Sequence, residues 1–191
     1  MKYTRDISTM TYEVKQSKFI AHFMPYDLYT TTLATLQEQH PKARHFVTAY
    51  RYLNEYDQIV ESSSDDGEPK GTSGKPSLMV LQGQEIINCA VIIVRYFGGT
   101  KLGTGGLVRA YSEAVNLSIE KVEFLEYKKE IYKTIDIEYS DIRFIDYECE
   151  ILNIEIVEKK FDMKTSYTIK SDEQSMNTFL DKVQRVVRVT V

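Results

Sequence analysis

All nine glycines of this 191-residue chain lie between Gly67 and Gly106, and no proline follows Pro76. Glycine loses more backbone entropy on folding than any other residue, so it persists where a positive φ or a close approach of backbone is needed. Confining it to one window concentrates loops and close approaches there, and leaves regular structure with tight polar turns for the rest. The window is therefore the first place to look for a ligand or partner.

Hydrophobic patterning fills in the elements around it. Phe19–Met24 predicts a strand, followed by a helix capped at Asp27 that carries Tyr29, Leu33 and Leu36 and is stopped by Pro41. Strands are expected at His45–Tyr52 and Gln58–Ser62 around a turn at Asn54–Asp57, with a Ser/Asp/Gly/Pro loop from Ser62 to Pro76. Pro76 suits the first turn of a helix reaching about Gln82. The β-branched run Cys89–Val94 predicts a central strand buried on both faces, and a second loop covers Gly98–Gly106. Leu107, Ala110, Tyr111, Ala114 and Leu117 then recur at helical spacing.

Beyond the charged stretch Glu123–Lys129 the pattern changes. A strand through Ile131, Ile135, Ile137 and Tyr139 leads to a helix capped at Asp141 with Ile142, Ile145, Cys149 and Leu152. Two strands near Ile154–Phe161 and Thr165–Lys170 follow, then a helix opened by Ser171 and Gln174 at capping-box spacing, and a strand at Val186–Val191. The order is βαββαβ, the split arrangement of ferredoxin-like domains. The fold class expected is α+β in two domains, 1–125 and 126–191.

Between Ile86 and Ser112 the charged residues are Arg95, Lys101 and Arg109, with no acid among them. They bracket Gly98, Gly99, Gly103, Gly105 and Gly106, the last two at a predicted helix N-terminus, where unpaired N–H groups carry about half a positive charge. With Tyr96, Phe97 and Tyr111 alongside, the set fits an anionic partner with stacking faces, as in single-stranded nucleic acid. No standard nucleotide motif is present. Pro76 follows Gly74-Lys75 where a P-loop needs Ser or Thr, and Val108 replaces the last glycine of a dinucleotide fingerprint. The bland alternative is that the glycines serve only turns and helix–strand packing.

The preceding loop is acidic, with Glu61, Asp65, Asp66 and Glu68. These carboxylates can hold Mg²⁺ together with a substrate phosphate, or pair with Arg95 and Lys101; pairing is favoured because no full ligand set is visible. His45 opens a strand and is the histidine best placed to act as a polar contributor, ahead of His22 and His40. Ser62, Ser63, Ser64, Thr72 and Ser73 are nucleophile candidates only beside a base, and no GxSxG elbow exposes one. Cys89 and Cys149 lack metal spacing and read as buried thiols. A net charge of −4 argues against a surface coated in basic residues, though it leaves room for a local basic site. The longest apolar run is far short of a membrane span, and the N-terminus lacks the apolar core of a signal peptide, so a cytoplasmic chain is expected.

The residues then carry a resemblance. Ser64-Asp65-Asp66-Gly67-Glu68-Pro69 with Gly71-Thr72-Ser73-Gly74-Lys75-Pro76, and Val94-Arg95-Tyr96-Phe97-Gly98-Gly99 with the stretch from Lys101 to Tyr111, resemble the two signatures of the IMPACT/YigZ family. Ser17-Lys18-Phe19-Ile20-Ala21 and the stretch from His45 to Arg51 fit as well. The resemblance implies a first domain of the left-handed βαβ type, shared with a small-subunit ribosomal protein and domain IV of elongation factor G, and a second domain similar to domain V of that factor. Eukaryotic relatives act in translational control, competing through protein contacts for the activator of a starvation-sensing initiation-factor kinase. The family supplies no catalytic residues to carry over. The leading expectation is a regulatory binding protein that contacts RNA or a ribosome-associated partner. A metal-dependent enzyme acting on a phosphorylated or carboxylated small molecule, and an RNA-independent protein adaptor, are the alternatives.

Overall fold

A computed structural model describes residues 1–161 and 165–190 of the chain. The chain divides into two compact units, Met1–Tyr127 and Lys128–Val191. Residues 125–126 belong with the first because they form a short strand, β7 (Leu125–Glu126), that pairs antiparallel with β1 (Lys2–Tyr3).

The first unit is built on a five-stranded antiparallel sheet in the order β2-β3-β6-β4-β5. Its strands are β2 (Ser8–Val14), β3 (Ser17–Pro25), β4 (His45–Leu53), β5 (Ile59–Ser64) and β6 (Cys89–Tyr96). β6 is central, and residues 89–95 are all buried. Its odd positions Cys89, Val91 and Ile93 join a core with Leu81 of α2 (Gly74–Gly83) and with Leu107, Ala110, Tyr111 and Val115 of α3 (Thr104–Ile119). Its even positions Ala90, Ile92 and Val94 pack on the other face with Leu36 of α1 (Tyr29–Gln39). Helices on both faces explain why this strand reads as an unbroken apolar run instead of an alternating one.

Asp27 does not cap α1: it lies in a 3-10 turn, Tyr26–Leu28, and the helix starts after Leu28 without a side-chain cap. The N-terminal β1 and β2 have no counterpart in the sequence reading, because Thr9, Thr11 and Glu13 give an exposed edge strand little apolar signal.

The second unit runs β8 (Glu130–Ile137), α4 (Ile142–Ile151), β9 (Glu155–Phe161), β10 (Thr165–Asp172), α5 (Glu173–Val183) and β11 (Val187–Thr190). The strands form an antiparallel sheet in the order β11-β8-β10-β9. Ile135, Tyr167 and Ile169 meet Ile145 and Cys149 of α4 and Met176 and Phe179 of α5 in one core. The α5 cap is Asp172, whose carboxylate accepts from Ser175 N–H at 3.1 Å, while Ser171 is still in the strand. Asp141 precedes α4 but makes no capping bond.

Candidate functional site

Strand register builds the site. His45 on β4 lies directly opposite Arg95 on β6, so both side chains leave the same face of the sheet, the one that carries α2 and α3. Glu68, from the loop after β5, reaches into that layer with its side chain 3% exposed. One of its oxygens, Oε1, accepts from Arg95 Nη1 and from the Tyr111 hydroxyl of α3 at 2.8 Å, and His45 Nε2 is 4.0 Å away. Arg95 is 7% exposed and is flanked by the rings of Phe19 and Phe97. Burial first, then the neighbouring Glu68 carboxylate, pushes the Tyr111 phenol up, so its hydroxyl stays a donor. His45 Nδ1 donates to the Asp66 carbonyl at 2.8 Å, which orients its ring and leaves Nε2 without a proton when the ring is neutral.

The acidic loop is held by its own backbone. Asp65 accepts from Gly71 N–H at 2.7 Å, Gly74 N–H at 2.8 Å, Ser73 N–H at 3.1 Å and the Ser73 hydroxyl at 2.6 Å. It thereby caps α2, whose own first residues supply no side-chain cap. Burial alone would raise its carboxyl, but the Ser73 hydroxyl and the Gly71, Gly74 and Ser73 amides outweigh it and hold the group below the usual range. A depressed folded pKa contributes stability that is fully present above the unfolded value and is lost as pH falls through the folded value. Asp65→Asn is therefore expected to lower the urea midpoint at about pH 7, by about 2 kcal/mol in free energy, and by less at about pH 3, below the unfolded carboxyl's value. Equal effects at both pH values would overturn this.

Asp66 accepts from Phe46 N–H at 2.6 Å, in a left-handed conformation with φ +41°. Glu61 sits on β5 opposite Arg51, whose Nε donates to it at 2.7 Å, while Arg51 Nη1 donates to the Leu81 and Ile86 carbonyls. The four acids thus take up four separate duties and do not converge. Among the described residues no group of three His, Cys, Asp or Glu side chains is arranged to hold a metal ion. Two of the hydroxyl candidates donate within the loop, Ser73 to Asp65 and Thr72 to the Pro69 carbonyl, and the Ser64 hydroxyl accepts from Asp66 N–H, while Ser62 and Ser63 are exposed on β5.

The expected cationic trio separates. Arg95 is buried against Glu68, whereas Lys101 and Arg109 are exposed and take part in no ion pair among the described residues. Arg109 lies two residues from buried Tyr111 on α3, so it points away from the layer that holds Arg95. Tyr96 leaves the opposite face of β6 from Arg95, and its hydroxyl meets His40 Nδ1 at 2.9 Å. Gly98 is a packing residue, since a Cβ there would sit 2.0 Å from the Gln16 carbonyl carbon. Gly99 and Gly103 have positive φ, Gly106 packs on Leu102, and Gly105, inside the first turn of α3, faces open space.

His22, beside Thr9 and His40, has its pKa pushed down to about 4, chiefly by burial and then by His40, so it is neutral at pH near 7. Burial pushes the Cys89 thiol up to about 12 and the Cys149 thiol up to about 11, and neither is disulfide-bonded. Sequence reasoning passes over Lys42 and Arg44. With His45, Arg95, Tyr96 and Phe97 they line a pocket of about 390 Å³ where β4 begins and β6 ends. The only sequence signal for it is two cations flanking Ala43 just ahead of a strand.

The chain is thus a two-unit mixed α/β protein whose first unit buries a loop carboxylate under its central strand. The Impact N-terminal domain family model matches residues 15–119, and the chain belongs to the IMPACT family. An IMPACT family member of Haemophilus influenzae is 33% identical over 171 residues, covering 87% of this chain and 82% of that protein. The IMPACT family member YigZ of Escherichia coli is 38% identical over 117 residues, 60% of this chain and 57% of that protein. The crystal structure of a hypothetical protein superposes with a TM-score of 0.70 at 25% identity, covering 100% of this chain and 96% of that one. Among the described residues no helix is long and apolar enough to cross a membrane.

Proposed function

We propose that this IMPACT-family chain is a translation-associated regulatory protein that binds RNA through the exposed segment from Gly99 to Arg109. The observation that carries the reading is that Lys101 and Arg109 are exposed with no ion-pair partner among the described residues, beside an open helix start at Gly105. Unpaired cations next to free helical N–H groups attract phosphate. Arg95 is committed to Glu68 and is not one of the RNA-binding cations in this reading. The second unit fits the ferredoxin-like, domain V-like class by its βαββαβ order and its β11-β8-β10-β9 sheet. That likeness supports a translation context by analogy of fold.

The enzyme reading has less support, because both oxygens of Asp65 and Oε1 of Glu68 are taken up by protein donors. The test is fluorescence anisotropy with a single-stranded RNA across a salt series. Affinity is expected to fall steeply with salt, and Lys101→Ala/Arg109→Ala to reduce the log–log slope by about 1.4, at roughly 0.7 for each phosphate no longer neutralised. Salt-independent binding, or parental affinity in the double variant, would sink the RNA reading.

A further inference from the structure

We propose that the pocket at the β4–β6 end of the first sheet is a nucleotide site: it takes a phosphomonoester, with the attached base lying on the ring of Phe97. Its residues are distinct from Lys101 and Arg109, and the proposal stands apart from the RNA reading. Four of its six lining side chains are Lys42, Arg44, His45 and Arg95. Lys42 and Arg44 are exposed and take part in no ion pair among the described residues. Arg95 and Glu68 cancel, which leaves Lys42 and Arg44 as the lining cations that meet a phosphomonoester, whose charge of about −1.5 to −2 draws on both.

A second observation is independent of that charge count. Arg95 is more than nine-tenths buried, lines this pocket, and keeps its Nε without any hydrogen-bond partner. Buried guanidinium donors are normally satisfied, so this orphan, itself closed off from the cavity, marks Arg95 as a wall residue that gains an acceptor when the lining moves to admit one. The same Glu68 oxygen that accepts from Arg95 Nη1 also accepts from the Tyr111 hydroxyl, so the carboxylate is fixed from α3 as it holds the guanidinium, and it is not itself part of the pocket lining.

Size and lining narrow the ligand. A cavity of about 390 Å³ is at the small end of ligand sites and suits one nucleotide unit. Phe97 is 56% exposed, a large apolar ring left facing solvent at the pocket wall. Tyr96 forms the other wall and is braced by His40. An exposed ring beside cations is the arrangement on which a base stacks while its phosphate is neutralised.

The two sources of this chemistry are a free mononucleotide and the phosphorylated 5′ end of an RNA. Calorimetry on the full chain uses adenosine 5′-monophosphate, adenosine and ribose 5-phosphate, alongside a short RNA with a 5′-phosphate or a 5′-hydroxyl. The nucleotide is expected to bind at least about tenfold more tightly than adenosine, and Lys42→Ala/Arg44→Ala, at exposed positions, to remove that preference. Phe97→Ala is expected to weaken the nucleotide but not ribose 5-phosphate; equal loss on both would overturn the base contact. A phosphate preference confined to the RNA assigns the site to an RNA end, and one confined to the mononucleotide assigns it to free nucleotide. No phosphate preference with either, or a preference that survives Lys42→Ala/Arg44→Ala, overturns the site. Lys101→Ala/Arg109→Ala is expected to leave the preference intact, so the failure of one reading does not imply the failure of the other.

Discussion

Replacing Glu68 by Ala is expected to cost the first unit about 3–5 kcal/mol and to leave the second unit's stability unchanged. The magnitude follows from what remains behind. Arg95 would keep its charge at 7% exposure with its one carboxylate gone, and the buried Tyr111 hydroxyl would lose its acceptor. Each loss leaves a desolvated donor unpaired, and unpaired charge is the larger penalty. The converse follows from the same physics. Glu68→Met combined with Arg95→Met removes both charges, and the double variant is expected to recover most of the loss, since well-packed apolar pairs often match a buried ion pair. Hydrogen exchange reads the two units separately, through the amides of β6 and of β10. An isolated Glu68→Ala effect below about 1 kcal/mol would mean that the pair is solvated, and the site geometry would have to be redrawn.

That prediction also marks what the sequence makes legible. The central strand β6 and the helix α3 are readable because their neighbours leave period-specific marks: an unbroken apolar run for a strand covered on both faces, and Leu107, Ala110, Tyr111 and Ala114 for a helix covered on one. The gathering of sharp turns and close approaches into two glycine-bearing loops is readable for a similar reason, since backbone that must bend sharply or pack closely selects glycine. The pairing of their charges is not. Arg95 and Glu68 are 27 residues apart, and Arg95 and Lys101 six, so proximity along the chain favours the wrong grouping. Only the register of β4 on β6, which sets His45 opposite Arg95, decides which cation turns inward. Lys42 and Arg44 are hidden likewise, because nothing in their local pattern announces that the end of a distant strand completes a pocket beside them. The cap of α5 shows the same limit at short range. Ser171 and Asp172 are both good caps, and the extra strand residue that pairs with Glu130 moves the helix start by one.

The second large effect is expected at Gly98, where Ala should destabilise the first unit by about 3 kcal/mol or more. A Cβ there would lie 2.0 Å from the Gln16 carbonyl carbon and 2.3 Å from both the Gln16 oxygen and Ser17 N. All three are backbone atoms, so no side chain can swing aside. The obstruction falls on a hairpin that is already costly. Val14 pairs with Ser17 across a two-residue turn in which Lys15 and Gln16 have φ of +46° and +63°. Such turns favour Asn-Gly, and Lys-Gln tolerates the left-handed region poorly, so the turn must be held from outside. Gly98 supplies part of that hold, its N–H donating to the Ser17 hydroxyl at 3.1 Å while its missing side chain lets the strands' end close down. Gly105 is the contrasting case: it is helical, with nothing within 4 Å of an added Cβ. Gly105→Ala is expected to stabilise the unit by about 0.4–1 kcal/mol, because only the unfolded chain loses freedom. Urea denaturation of both variants separates the two roles that one glycine-rich stretch combines. A stabilised Gly105→Ala that also binds single-stranded RNA more weakly would mean that this glycine is kept for the approach of a ligand, whereas unchanged affinity would leave only Lys101 and Arg109 to hold the RNA.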